Sequence, residues 1–130
     1  MIDHASLPVS DLARSKAFYE ALLAPLGYVK MVDVDGRAGF GKRFPEIWIN
    51  ERKGLGPISD GMHLGLRAKG EDVVRAFHAA ALANGGRDDG APGPRQAAMT
   101  TYYAAFVRDP DGNKLEAASF PVTPAGGFLS

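Results

Sequence analysis

The chain has no cysteine, a single tryptophan and no excess of either charge. Without cysteine there are no disulfides, no thiolate metal ligands and no cysteine nucleophile. Fifteen basic and fifteen acidic residues cancel within 130. No basic footprint therefore points to nucleic acid or to an anionic lipid surface. No uncharged apolar run approaches the ~18 residues of a membrane span. The first residues show no basic segment followed by an apolar one, so no secretory signal is expected, and a soluble cytoplasmic protein is the expectation. The length suits one domain with its own core.

What is present is punctuated. Ile2–Val9 reads as a strand by alternation, with Ile2, His4 and Ser6 on one face. Ser10 is placed to cap a helix, with Asp11 in its first turn. Leu12, Phe18, Tyr19, Leu22, Leu23 and Leu26 keep a 3.6-residue period until Pro25 and Gly27 end it. Two short strands, Tyr28–Val34 and Arg37–Phe40, flank Asp35-Gly36, a favoured hairpin turn, and Glu46–Asn50 is a further strand. Residues 53–60 form a loop by composition. Then the pattern restarts: strand Gly61–Ala68, helix Glu71–Asn84 with an apolar stripe of Val73, Val74, Phe77, Ala81 and Leu82, and the closing Gly85-Gly86. Asp88–Thr101, rich in glycine, proline and alanine, is expected to be a long loop with at most a short strand. Two apolar runs, Tyr102–Arg108 and Asn113–Phe120, flank Asp109-Pro110-Asp111-Gly112 and read as a hairpin. That turn shares part of a calcium-loop pattern but lacks the remaining ligand spacing, so it is read as a turn. Pro121–Ser130 reads as a loose tail.

A shift of 59 residues pairs His4 with His63, Leu7 with Leu66, Phe18 with Phe77, Leu23 with Leu82, Gly27 with Gly86 and three alanines with alanines, eight identities in 24 positions. Alanine-rich helices explain the alanines but not a histidine, a phenylalanine and a glycine in one register. The chain is therefore read as two βαβββ modules, about 1–52 and 61–120, each with a histidine on its first strand.

Glu116 lies in a strand among Leu115, Ala117 and Ala118. A carboxylate there faces water or needs a cation. If the modules pack as a pseudo-twofold pair, His4, His63 and Glu116 converge. Two imidazoles and a carboxylate suit Fe, Mn, Zn or Ni as a divalent ion and leave positions open for substrate. The blander reading is a pair of hydrogen-bonded strand histidines and a solvent-facing glutamate. Tyr103 is a candidate hydrogen-bond donor to a substrate oxygen, and Trp48 and Phe40 are candidate pocket walls. Arg67 and Arg95 are candidate anion binders. His78 is read as a helix-surface residue.

Ile2–Tyr19, Met62-His63-Leu64 and Tyr102–Glu116 together make the chain resemble the vicinal oxygen chelate superfamily, which includes glyoxalase I, bleomycin-resistance proteins, fosfomycin-resistance enzymes and extradiol dioxygenases. The resemblance spans roughly residues 1–120. It implies an α+β fold in which the two modules form a curved open barrel, a homodimer, and a metal held by His4, His63 and Glu116. Glyoxalase I carries a fourth ligand where this chain has Trp48, and the three-ligand set resembles extradiol dioxygenases and fosfomycin-resistance enzymes instead. The implied function is a divalent-metal-dependent lyase or dioxygenase acting on two vicinal oxygens of a small substrate, with Glu116 and Tyr103 as its catalytic groups. The alternative is a metal-free small-molecule binding protein of the antibiotic-resistance type.

Overall fold

The computed structural model describes residues 1–121. It contains β1 (Ala5–Val9), α1 (Leu12–Leu23), β2 (Val29–Val34), β3 (Arg37–Gly41), β4 (Pro45–Glu51), β5 (His63–Arg67), α2 (Glu71–Ala83), β6 (Arg87–Gln96), β7 (Thr101–Arg108) and β8 (Lys114–Ser119). The fold is α+β, with two four-stranded sheets ordered β1-β4-β3-β2 and β5-β8-β7-β6. In each sheet the first strand runs parallel to the last and the other pairs are antiparallel. The two halves thus repeat in topology as well as in sequence. The tail expected over Pro121–Ser130 lies, from residue 122 onward, outside the described residues.

Each sheet buries one face beneath a helix. Leu7, Val9, Ala38, Phe40, Ile47 and Ile49 do so in the first sheet, and Leu66, Ala105, Val107, Leu115 and Ala117 in the second. From α1 come Phe18, Tyr19, Leu22 and Leu23, and from α2 Val74, Phe77 and Ala81. The helices pack against each other, so both halves share one core. Leu82, expected in the α2 stripe, is exposed instead. The two glycines matched by the repeat serve different ends. Gly27 takes a left-handed φ of 86°. A Cβ on Gly86 would lie 2.6 Å from Phe18, because the chain passes directly over that ring.

Three expectations need correction. The first strand begins at Ala5, leaving Ile2–His4 outside it. Asp11, not Ser10, caps α1, its side chain accepting from the Arg14 N–H. The expected loop after residue 87 is largely strand: β6 runs for ten residues along β7. Composition argued against a strand, but β6 is an edge, where Pro92 and Pro94 need not donate to a ladder. Shifts in register around Gly90 and Gly93 absorb the remaining irregularity.

The β7–β8 turn does more than reverse the chain. Asp109 is fully buried. One carboxylate oxygen accepts from the Tyr19 hydroxyl at 2.6 Å and from Asn113 Nδ2 at 2.8 Å. The other accepts the backbone N–H of Asp111 at 2.9 Å and of Asn113 at 2.8 Å. Asn113 Nδ2 also donates to the Pro8 carbonyl at 2.9 Å, and Asp111 accepts from the Ser10 N–H at 3.0 Å. Tyr19, Pro8 and Ser10 all belong to the first half. The turn of the second half therefore clasps the strand-to-helix corner of the first. Burial, and then the Asp109 carboxylate, hold the Tyr19 phenol well above its ordinary pKa, so it stays a donor. Removing one donor to a buried carboxylate costs about 2 kcal/mol, and removing the carboxylate leaves four donors unpaired. Tyr19→Phe is accordingly expected to lower stability by about 2 kcal/mol and Asp109→Ala by more than about 3 kcal/mol, read from urea unfolding midpoints.

Candidate functional site

The faces turned away from the helices carry the polar side chains. On the second sheet, His63, Gly65 and Arg67 alternate along β5 with the inward Leu64 and Leu66. Their cross-strand partners on β8 are Lys114, Glu116 and Ala118. His63 Nε2 lies 3.0 Å from Glu116 Oε1. Glu116 is 7% exposed, and no lysine or arginine forms an ion pair with it among the described residues. Among the described residues this buried carboxylate is met by an imidazole and by the Tyr102 phenol but by no fixed positive charge, a setting in which a cation between imidazole and carboxylate is favourable. Donor atoms 3.0 Å apart match the spacing of neighbouring ligands about 2.1 Å from one ion, and nitrogen with carboxylate oxygen is a set that borderline divalent metals accept. Gly65 leaves room for this, since a Cβ there would lie 3.4 Å from the same oxygen.

The first sheet presents the equivalent face with different chemistry. In the β1–β4 register Ser6 stands opposite Trp48, and in the β5–β8 register Gly65 stands opposite Glu116. Ser6 and Gly65 are 59 residues apart, the spacing of the repeat. Trp48 therefore occupies the position of Glu116 in the other half. Its ring lies over Gly39 and under the Arg37 guanidinium, 5.3 Å from the ring centroid. His4 is exposed, and its Nδ1 lies 2.7 Å from Asp3 Oδ1. With Ser6, Arg37, Trp48 and Asn50 it borders a hollow of about 330 Å³. The nearest carboxylate on that strand face, Glu46, accepts from the Tyr28 hydroxyl at 3.1 Å.

Of the three residues expected to meet, the structure joins His63 and Glu116 and sets His4 just ahead of β1, the first strand of the other sheet. Among the described residues of one chain, no group of three or more histidine, cysteine, aspartate or glutamate side chains is arranged to hold a metal ion. Phe40, expected to wall a pocket, is fully buried in the core, 6.3 Å from the Tyr19 ring. Tyr103 also points to the helix side, where its hydroxyl accepts from Arg75 Nη1 at 3.2 Å. Arg67 borders the hollow beside Glu116. Arg95 is held elsewhere, donating to the Ala91 and Pro94 carbonyls and lying over Phe106. His78 is mostly covered and paired with Asp88 at 2.8 Å, tying α2 to β6.

The residue that sequence reasoning missed is Tyr102. It lies beside Glu116 in the same hollow, its ring stacked on Phe120 at 4.7 Å with planes 11° apart. Burial first, and then the negative Glu116, raise its phenol pKa. Parity through the hairpin held the signal. Phe106 stands opposite Glu116, and alternation back along β7 leads to Ala104 and Tyr102, not to Tyr103.

The family model described as the Glyoxalase/Bleomycin resistance protein/Dioxygenase superfamily matches residues 1–117. A glyoxalase/bleomycin resistance protein from Albidiferax ferrireducens T118 is 37% identical, with a TM-score of 0.83 over 90% of this chain and 97% of that one. The fosfomycin resistance protein FosX from Listeria monocytogenes is 17% identical with a TM-score of 0.68, over 93% of each chain. A glyoxalase-related enzyme from Fulvimarina pelagi is also 17% identical, with a TM-score of 0.70 over 100% of this chain and 97% of that one. At these lower identities the likeness is one of fold. A search of the curated proteins gives no match. Paired βαβββ modules and the match over nearly the whole chain together place the protein in the glyoxalase/bleomycin resistance/dioxygenase superfamily. Among the described residues no helix is long and apolar enough to cross a membrane.

Two titrations test these assignments. Glu116→Gln removes the negative neighbour but not the burial, so the Tyr102 phenol pKa should fall part of the way toward its ordinary value, followed by ultraviolet absorbance against Tyr102→Phe as the blank. The Tyr28 phenol is pushed up to about 12 by burial and then by Glu46. Its contribution to stability is complete below its ordinary value of 10.0 and drains as pH rises through about 12. Tyr28→Phe should flatten the fall of the urea midpoint across that window.

Proposed function

We propose that the protein is a divalent-metal-dependent enzyme of the lyase or dioxygenase kind, acting on a small organic molecule through two adjacent oxygens. The observation that carries this reading is the buried Glu116 carboxylate with His63 Nε2 at 3.0 Å and no basic side chain paired to it among the described residues. His63 and Glu116 would hold the ion, with His4 as the third ligand. Because His4 precedes β1 of the other sheet and no three-ligand group forms among the described residues of one chain, that ligand would come from a second copy of the chain in a cytoplasmic homodimer. When bound, a divalent ion supplies Lewis acidity that stabilises negative charge developing on substrate oxygens.

The chain's own groups then have separable tasks. Before an ion binds, the contact with His63 keeps the Glu116 carboxylate turned toward that imidazole. The Tyr102 phenol, with its raised pKa, stays protonated near neutrality and offers an O–H to an oxygen in the hollow. Trp48 brings no ligand, so its half contributes an aromatic surface for substrate instead. The rival reading, metal-free binding of a small molecule, is favoured by one observation: no three-ligand group exists within one chain among the described residues.

Elemental analysis after loading with Fe(II), Mn(II), Zn(II) or Ni(II) separates the two. Wild type should retain at least one of these ions, and His63→Ala and Glu116→Gln should each lose more than tenfold in retention. A site shared between copies makes a sharper demand. His4→Ala and His63→Ala chains, each deficient alone, should recover metal when mixed and allowed to exchange, because one of the two shared sites becomes whole. Equal, near-zero metal in wild type and variants overturns the enzyme reading and leaves the binding protein.

A further inference from the structure

We propose that the cavity roofed by the linker between the two modules is a binding site for a small uncharged apolar molecule about the size of one ring. The site is separate from the hollow beside Glu116 and does not draw on the metal reading, because a neutral ligand carries no charge for an ion there to attract or repel.

β1 and β5 each end their own sheet. Residues 6–8 of β1 and residues 62–64 at the start of β5 border a cavity of about 310 Å³, so neither half forms it alone. The linker closes it. Along residues 53–60 only Leu55 and Ile58 are half-buried while the others are exposed, and both of these line the cavity. Ile58 is set against the β7–β8 turn, where a Cβ on Gly112 would lie 3.8 Å from its own Cβ. An irregular loop thus turns two aliphatic side chains over a space that they border without filling. Apolar groups around such a space gain when an apolar ligand takes the place of water. The volume lies near the lower end of small-molecule sites, which run from about 300 Å³ upward, and suits a single ring.

Charge sets the class of ligand. Pro8, Leu55, Pro57, Ile58, Met62 and Leu64 make most of the wall apolar, and its polar groups are already engaged. The Lys114 ammonium pairs with Asp89 at 3.0 Å and lies 4.9 Å from the Phe106 ring centroid. Asn113 Nδ2 donates to the Pro8 carbonyl and to Asp109. The Ser59 hydroxyl accepts the Gly61 N–H at 3.2 Å, and His63 Nε2 meets Glu116. An anion would have to draw Lys114 away from Asp89, and a cation would find no carboxylate in the wall among the described residues. Either would lose its hydration without a ready counter-charge, whereas a neutral apolar molecule gives up little. His63 is shared, since it borders this cavity and touches Glu116 in the next hollow. Occupancy of the cavity is therefore sensed at its imidazole.

The test is a nuclear magnetic resonance titration of the full chain with toluene, benzoate and benzylammonium, three probes of one ring that differ in charge. Toluene is expected to bind at least tenfold more tightly than either ion, with amide shifts centred on residues 55–64 and a shift of the His63 ring signals. Leu55→Asp puts a charge in the roof and Leu55→Trp fills the space, so each should weaken toluene at least tenfold. Leu82→Asp, on an exposed position of α2, should leave its affinity within about twofold. Circular dichroism spectra of all three variants are expected to match wild type. No toluene binding, equal binding of the three probes, shifts centred on Tyr102 and Phe120, or an affinity unchanged in both Leu55 variants overturns the proposal. Metal retention is read separately by elemental analysis, so the metal reading stands or falls independently of these outcomes.

Discussion

A single buried carboxylate governs how the two halves of this molecule sit together. Asp109 has no basic partner among the described residues but takes four hydrogen bonds, two from backbone N–H groups of its own turn, one from the Asn113 side chain and one from Tyr19 on the opposite half. A charge in the interior is tolerable only when its lone pairs are filled in this way. The arrangement works because Pro110 and Gly112, at a φ of 102°, fold the turn tightly enough to aim two backbone N–H groups inward. Asn113 and Asp111 extend the same clasp to Pro8 and Ser10. The corner where β1 hands over to α1 is thereby tied to the hairpin that carries Glu116. Whatever happens at the second sheet's site is anchored to the first half through this turn.

Repetition of the backbone has not meant repetition of chemistry. Both sheets keep the order in which the first strand pairs with the last, and both begin at a histidine or just after one. Matched registers then put Glu116 in one half where Trp48 stands in the other. One half offers a carboxylate with an imidazole beside it; the other offers an indole beneath a guanidinium. Division of labour follows from that difference. The charged centre and the aromatic surface thus stand on separate sheets of the chain.

Much of this was legible from residue order, and the rest failed for identifiable reasons. The repeat, both helices and the Asp35-Gly36 and Asp109–Gly112 turns follow from sequence pattern, whereas the meeting of His63 with Glu116, 53 residues apart, follows from reading the repeat as paired modules. β6 did not, because proline and glycine speak for a loop, whereas its strand conformation comes from β7 alongside it. Residue type alone suggests a pocket role for Phe40 and Tyr103. Strand parity places both under the helices, with Tyr102 taking the open side. The position of His4 relative to the pair depends on how two sheets are oriented, which no local pattern encodes.

The outer border of the second sheet has a consequence for the molecule's colloidal behaviour. A ten-residue strand that ends its sheet among the described residues would ordinarily be an open template for fibrillar growth. Here Pro92 and Pro94 have no amide proton to offer a neighbour, and register shifts around Gly90 and Gly93 break the regular spacing. The same irregular composition that disguises the strand in the sequence keeps crowded copies from zipping together along it.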